Sequence, residues 1–493
     1  MRCVALIETP QGRWREPAEI LAAFAEEPWA LGLLSGGGGR GARWSYLARR
    51  PDRTLVCKPS DADDPFEALR ALLGPPQAPH PDGPPFQGGV AGLCAYELGA
   101  WVERLALQRL EDWPDLACAR YPALLAFDHR ARRVLAIGCG ETQDEAEDLA
   151  RVTLGWLEEA GAKPAPSRSD ALAAQLQASS AAAYEAAVAE VVKRIGLGEI
   201  FQANVARAWR GRLTTGARPI EVLLRLVRSS PAPFAAYLRL PGKAVVSNSP
   251  ERFIGLQGLD GRRLAETRPI KGTRPRGPDP VMDAAEAHAL AASAKDRAEN
   301  LMIVDLMRND LARVCRPGSV RAPELFALES FANVHHLVST VTGELLEGLG
   351  PVELLRASLP AGSITGAPKV QAMKVIAGLE PPRGPFFGTM FWAGADGAMD
   401  SSVLIRTLAF AEDDDGWRFE ARAGAGLVAD SEPQAERCET EAKIAAILAA
   451  LAPSVGFAAT SPAPRAGEEK ILLPCEAGEL SATPTEGASS GEK

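Results

Sequence analysis

The sequence predicts a mixed α/β protein, built as two or three domain-sized units or as one large interwoven one. Three observations lead there. The chain is 493 residues long, enough to bury a sizeable core. It is 46% apolar and 24% charged, an ordinary globular composition. Along it, short runs of period two alternate with amphipathic runs of period near 3.6, the marks of strands and helices.

Residues 1–160 mix both kinds. RWSYLARRP and RTLVCKP read as strands, PFEALRALLG as a helix, and GGVAGLCAYELGAWVERL as glycines opening a helical stretch. ALLAFDHRARRVLAIGCG reads as two strands around a turn, and DEAEDLARVTLGWLEEAG as an amphipathic helix. Residues 161–180 turn to Ala, Pro and Ser and read as a linker, in which AALAAQLQ has partly helical character. The region 181–453 is richer. Tyr184–Gly196 places Ala187, Val188, Val191, Val192 and Ile195 on one stripe, and RPIEVLLRLVRSS is a second helix. AVVSNSPERFIGL and RRLAETRPIKG read as adjacent strands that bring Glu251 near Lys271, and 283–314 reads as one long helix. The tail, 454–493, has the composition of a disordered segment, apart from a short contact by KILLP.

Several function classes fall away. The net charge of −9 and pI near 5.4, with no basic block, argue against nucleic acid as a partner. No apolar run approaches a membrane span, and the start MRCVALIETPQGRWREP lacks the apolar core of a signal peptide. The eight cysteines are scattered without a CxxC pair, which fits reduced thiols. A cytoplasmic protein is expected.

Candidate chemistry centres on ETRPIKGTRPRG, residues 266–277. Pro269 stiffens the segment before Lys271, and Gly272 lets backbone approach a ligand. Two helical pairs of acids, Asp296 with Glu299 and Glu436 with Glu439, each sit three apart, and Lys443 lies one turn beyond Glu439. Facing one pocket, these carboxylates would seat a hard divalent cation such as magnesium; on separate faces, they are solvated helix surfaces. Glycine turns at GSITGAPK, GTMFWAGADG and ARAGAGLVADS can present backbone N–H groups to carboxylates. MDSSVLIRTL reads as a strand that carries Arg406 among apolar neighbours, where its partner is either an internal acid or a ligand carboxylate. Gln202, Glu251 and His336 are polar residues in apolar settings, and Glu251 beside a lysine is a candidate general acid.

Taken in order, GEIFQANVA, SPERF, PIKGTRPRG, AENLMIVDLMRNDLARVC, SITGAPK, MDSSVLIRTL and AGAGLVADSEPQAERCETEAK resemble the chorismate-utilising enzymes. That family includes the aminodeoxychorismate, anthranilate, isochorismate and salicylate synthases. The likeness covers about 181 to 450, and LLSGGGGRGARWSYLARRP and GGVAGLCAYELG extend it towards the amino terminus. It implies the family's fold, two packed antiparallel β-sheets flanked by helices, with the site in the cleft. It also implies roles. Aminodeoxychorismate synthases carry PIKGT, whereas anthranilate synthases have a small residue at the Lys271 position. Lys271 would attack C2 of chorismate while Glu251 protonates the departing C4 hydroxyl, and ammonia would then displace the lysine. The water-using members have a lysine where this chain has Gln202. Glu299 and Glu439 would bind magnesium, with Asp296 and Glu436 in the same cluster. Arg406, Lys443 and the Gly424-Ala425-Gly426 backbone would receive carboxylates. Gly272, Thr273 and Thr365 would line the pocket, with His336 near the leaving hydroxyl.

The chain lacks a recognisable glutamine-hydrolysing triad, so the resemblance implies ammonia from a separate glutamine amidotransferase subunit. Three departures stand out. Phe386 replaces a tyrosine, Phe391-Trp392 replaces Gly-Tyr, and SSPAPF (229–234) replaces the NPAPF of the family's tryptophan pocket. Tryptophan as a further ligand is therefore left open, and an anthranilate-forming activity and a catalytically silent relative stand as the alternative functions.

Overall fold

In the strand Ala123–Asp128, Leu124 and Ala126 face one core while Ala123, Leu125 and Phe127 face another. Successive side chains of a strand point to opposite faces, so such a strand needs cover on both. A second sheet covers one face here and helices cover the other. The computed structural model describes residues 3–9, 14–36, 42–162, 172–259, 261–331 and 334–452. Its larger sheet has twelve strands, in the order Cys3–Glu8, Arg133–Gly140, Ala123–Asp128, Trp44–Ala48, Leu31–Leu34, Phe234–Leu240, Lys243–Ser249, Thr407–Asp413, Gly416–Leu427, Gln202–Leu213 and Gly366–Ala367. The twelfth, Ala173–Ala178, also pairs with Gln202–Leu213. The smaller, ten-stranded sheet runs Ile270–Pro275, Val334–Glu344, Arg262–Thr267, Gly255–Leu259, Met399–Val403, Thr389–Gly394, Gly89–Cys94, Leu116–Tyr121 and Arg53–Cys57, with Arg321–Ser330 beside Val334–Glu344. Leu31, Tyr46, Leu238 and Val245 of the first sheet meet Val90, Leu93, Leu116 and Met390 of the second in the main core. The helices Gln143–Ala162, Pro219–Ser229 and Pro433–Leu451 close the outer face of the larger sheet. The expected two packed antiparallel sheets with flanking helices are present.

The segments 1–160 and 181–453 do not have separate cores. Leu31–Leu34 pairs with Phe234–Leu240, and Gly89–Cys94 pairs with Thr389–Gly394, so each sheet draws strands from both. Inside the expected linker, Ala173–Ala178 is a strand. The open ladder of Gln202–Leu213 offers it hydrogen bonds that outweigh alanine's helix preference. The region read as one helix is two, Pro280–Ala292 and Ala294–Ala312, broken at Ser293. Ser293 is extended (φ −65°, ψ 109°), and its hydroxyl accepts from the Asp296 N–H as a cap for the second helix. Gly89–Cys94, within GGVAGLC, is a strand buried on both faces, which removes the alternation that would have marked it.

Two segments read as single strand units instead cross between sheets. Lys243–Ser249 belongs to the larger sheet and Gly255–Leu259 to the smaller, with Glu251 in the crossing. Met399–Val403 and Thr407–Asp413 likewise lie in different sheets, with Arg406 between them at φ 49°. Period-two patterning does not report which sheet a strand joins. The KILLP segment and the rest of the tail lie outside the described residues.

Candidate active site

The floor of the candidate site is the antiparallel pair Gln202–Leu213 and Gly416–Leu427, in register Asn204 to Gly426 and Ala206 to Gly424. Ala203, Val205, Ala425 and Leu427 face a small core under the helices Ala181–Gly196 and Lys369–Ala377. Gln202, Asn204, Gly424 and Gly426 therefore face the other way. The two glycines keep that face open.

Lys271 comes to this floor from the smaller sheet. Ile270–Pro275 pairs with Val334–Glu344 through a register shift between Ile270 and Thr273, so Lys271 and Gly272 sit in a bulge. Gly272 adopts φ +86° and packs against Asp296, 3.0 Å from its Cβ to the position a side chain would take. A Cβ built on Gly426 would lie 2.6 Å from Gln202 Nε2, 3.1 Å from Lys271 Nζ and 3.3 Å from Asn204 Oδ1. Three polar groups thus converge on one vacated volume. Burial pushes the Lys271 amine below its ordinary pKa; Glu299 opposes that, Lys443 adds to it, and Glu251 and Glu439 oppose it. The amine forms no ion pair or hydrogen bond with another described residue.

Glu251 is 6% exposed. Burial raises its carboxyl above the ordinary range, against a Ser363 hydrogen bond and the charges of Lys271 and Lys443. Opposed shifts of this kind, a lysine down and a glutamate up, are what a neutral nucleophile and a protonated acid require. His336 is buried opposite Thr273, whose hydroxyl lies 2.9 Å from its Nδ1. Burial, with Arg406 nearby, lowers its pKa to about 4, so it is neutral at pH 7. Arg406 itself is half-buried and has no acidic partner among the described residues; burial alone lowers its pKa. No described acid holds it, which leaves its guanidinium available to an anion.

The four acids lie at the starts of two helices. Asp296 and Glu299 occupy the first turns of Ala294–Ala312, and Glu436 and Glu439 those of Pro433–Leu451. They act on one another. Glu299 is raised first by burial, with Asp296 and Glu439 adding to that, and Glu436 is raised by burial and by Glu439. Burial also works to raise Glu439, but Lys443, 2.6 Å away, together with Lys271 and Lys295, brings it down. Lys443 also donates to the Gly424 carbonyl at 2.9 Å. Among the described residues no three metal-ligating groups form a ready cage. A half-buried, all-oxygen cluster still fits a hard cation that completes its shell with water and ligand oxygens.

Comparison with known proteins decides the family. The profile of the chorismate binding enzymes matches residues 33–449. The chain belongs to the chorismate-binding enzymes. Among the relatives of this family, the aminodeoxychorismate synthase component 1 of Klebsiella aerogenes is 40% identical over 90% of this chain and 98% of its own. The anthranilate synthase component 1 of Streptomyces coelicolor is 39% identical over 83% of this chain and 81% of its own. Among solved structures, anthranilate synthase component I from Streptococcus pneumoniae superposes with TM-score 0.71 at 28% identity, over 83% of this chain and 93% of that one. This chain is a chorismate-utilising enzyme.

Several of the expected residues also have contacts of their own within the fold. Thr365 is fully buried and donates its hydroxyl to the Ala361 carbonyl at 2.8 Å. Its contribution is a backbone carbonyl that accepts from the Asn204 N–H at 2.9 Å. Ala425 turns its methyl into the core below. Glu436 accepts from the Ser431 hydroxyl at 2.7 Å. Phe386 lies buried beneath the Arg422 guanidinium. Pro233 and Phe234 of SSPAPF line a separate cavity of about 210 Å³ with Arg43, Arg252, Trp392 and Asp400. Sequence reasoning missed Asn204 and Ser363, the neighbours of the two central groups. No helix among the described residues is long and apolar enough to cross a membrane.

Proposed function

We propose that the chain is the chorismate-binding subunit of an aminodeoxychorismate synthase and aminates chorismate to 4-amino-4-deoxychorismate. The observation that carries this reading is a lysine amine without an ion pair among the described residues, set on a glycine floor, with a buried glutamic acid within its electrostatic reach. The 40% identity to a relative of that name supports it.

The Lys271 amine attacks C2 of chorismate, the ring double bonds shift, and the C4 hydroxyl leaves as water with the Glu251 proton. Ammonia then adds at C4, the double bonds shift back, and the C2–nitrogen bond breaks with its electron pair returning to Lys271. The Glu251 carboxylate takes the surplus proton from the new ammonium, which restores the acid. Arg406, Lys443 and the Gly424 and Gly426 amides bind the substrate's carboxylates. His336, held neutral, donates or accepts a hydrogen bond near the leaving hydroxyl without adding charge. Glu299 and Glu439, with Asp296 and Glu436 beside them, would hold magnesium, which supplies positive charge for the ring carboxylate. Ammonia comes from a glutamine amidotransferase subunit in the cytoplasm, and the product leads to p-aminobenzoate and folate. For tryptophan, the cavity at Phe234 is the place to test, by titration calorimetry.

The test is incubation with chorismate, magnesium and an ammonium salt, with products identified by mass and fluorescence. An aminated product that keeps its enolpyruvyl group, and is lost in Lys271→Ala, is expected. Fluorescent anthranilate with free pyruvate would assign the chain to the anthranilate branch instead.

A further inference from the structure

Buried polar groups are almost always hydrogen-bonded, so exceptions point to what is missing. Gln202 is fully buried, yet neither its Oε1 nor its Nε2 has a partner among the described residues, and Asn204 Nδ2 is buried and unpartnered among them as well. Their backbones are firmly held. Asn204 donates its N–H to Thr365 and accepts at its carbonyl from Arg383 at 2.6 Å, and Gln202 pairs with Ala367. Two clamped backbones therefore present the whole Gln202 amide and the Nδ2 end of the Asn204 amide without partners among the described residues. Both reach the volume above Gly426 that Lys271 Nζ also reaches, all within 3.3 Å of one point. The amine has no hydrogen-bond or ion-pair partner among the described residues either. The two sets of needs are complementary, because a neutral amine has two N–H donors and one lone pair.

We infer that Asn204 and Gln202 are positioning residues that hold the two N–H bonds of the Lys271 amine through their amide oxygens and so aim its lone pair at the substrate. The inference rests on the reading of Lys271 as the nucleophile. A side-chain amide can present either end, and no other described residue claims either end of Gln202. Carboxylates in the same places would accept the same bonds but would also hold the lysine as an ammonium, which has no lone pair to give. Neutral amides orient the amine at less cost to its reactivity. When the nitrogen bonds to C2 it keeps both hydrogens, so neither amide has to exchange a proton.

Asn204→Leu and Gln202→Met remove an acceptor at nearly constant volume. Each variant and the parent chain are mixed with chorismate and magnesium without ammonia, quenched, and weighed intact for the adduct of chorismate minus water on Lys271. Each substitution should slow adduct formation about tenfold, the worth of one hydrogen bond, with kcat falling alike and KM within about twofold. An unchanged rate of adduct formation, or a loss confined to KM, overturns the inference. If Asn204→Leu does not fold, Gln202→Met reads the same quantity. Lys271→Ala separates the two levels. If it keeps its amination rate, the nucleophile falls and the inference with it. If it is inactive while both amide variants form adduct at the parent rate, only the inference falls.

Discussion

Gly426→Ala separates the site from the fold. The new methyl would lie 2.6 Å from Gln202 Nε2 and 3.1 Å from Lys271 Nζ. Ordinary contacts of this kind are about 3.5 Å, so the amide must retreat by about 0.9 Å and the amine by about 0.4 Å. Both are ends of flexible side chains, and Gly426 is not in the left-handed region, so the backbone need not move. Replacing glycine in a strand interior stabilises by about 0.5–1 kcal/mol, which offsets the local crowding. Tm should hold or rise slightly. Activity should not, because misplacing a reacting group by about 1 Å costs on the order of 100-fold. The amination rate with ammonium as nitrogen source should fall roughly 10- to 100-fold. A rate within threefold of the parent would refute the placement of Lys271 over Gly426, and a large drop in Tm would refute the claim that only side-chain ends are touched.

Arg406→Leu should weaken chorismate binding by about 2–3 kcal/mol without lowering Tm, because it removes a desolvated cation that no described acid neutralises. Equilibrium dialysis and thermal unfolding together test this, and a fall in Tm would mean an internal partner. Lys369→Met should cost about 3–5 kcal/mol in urea unfolding. Lys369 meets Asp310 at 2.6 Å and the Ser358 carbonyl at 2.9 Å, and removing it leaves a buried carboxylate alone; a loss below 1 kcal/mol would contradict that. His336, with a pKa of about 4, should show no titration of its Cε1 proton between pH 5 and 8. The unfolded histidine, with a pKa near 6.5, binds a proton in that window that the folded one does not. This group therefore makes stability fall with pH from about 7 to 4, by up to about 3 kcal/mol.

Much of the candidate site was legible because its residues carry their signals locally in sequence. The Lys271 strand, the acid pairs three apart on helices and the glycine turns each carry their signal within a dozen residues. The break at Ser293 was also written there, as a serine three residues before Asp296. Asn204 was not legible. Its importance arises because Gly426, Lys271 and Gln202 meet it in space, and nothing in GEIFQANVA says which residues those will be. The crossings at Glu251 and Arg406 were hidden for a related reason: alternation marks a strand without saying whose edge it joins. Ala173–Ala178 shows the limit of propensity, since an alanine-rich segment beside an open ladder becomes a strand.

The interleaving of the sheets also sets a schedule for synthesis. Leu31–Leu34 finds its partner in Phe234–Leu240, about two hundred residues later, and Gly89–Cys94 waits longer still for Thr389–Gly394. At roughly 5–20 residues per second, the first of these strands leaves the ribosome some 10–40 s before its neighbour exists. During that interval each nascent half-sheet carries an apolar, unpaired edge of the kind that recruits other chains. The protein should therefore depend on chaperones that shield such edges, and yields should improve when translation is slowed by cooling or when a chaperone that binds nascent chains is supplied in excess.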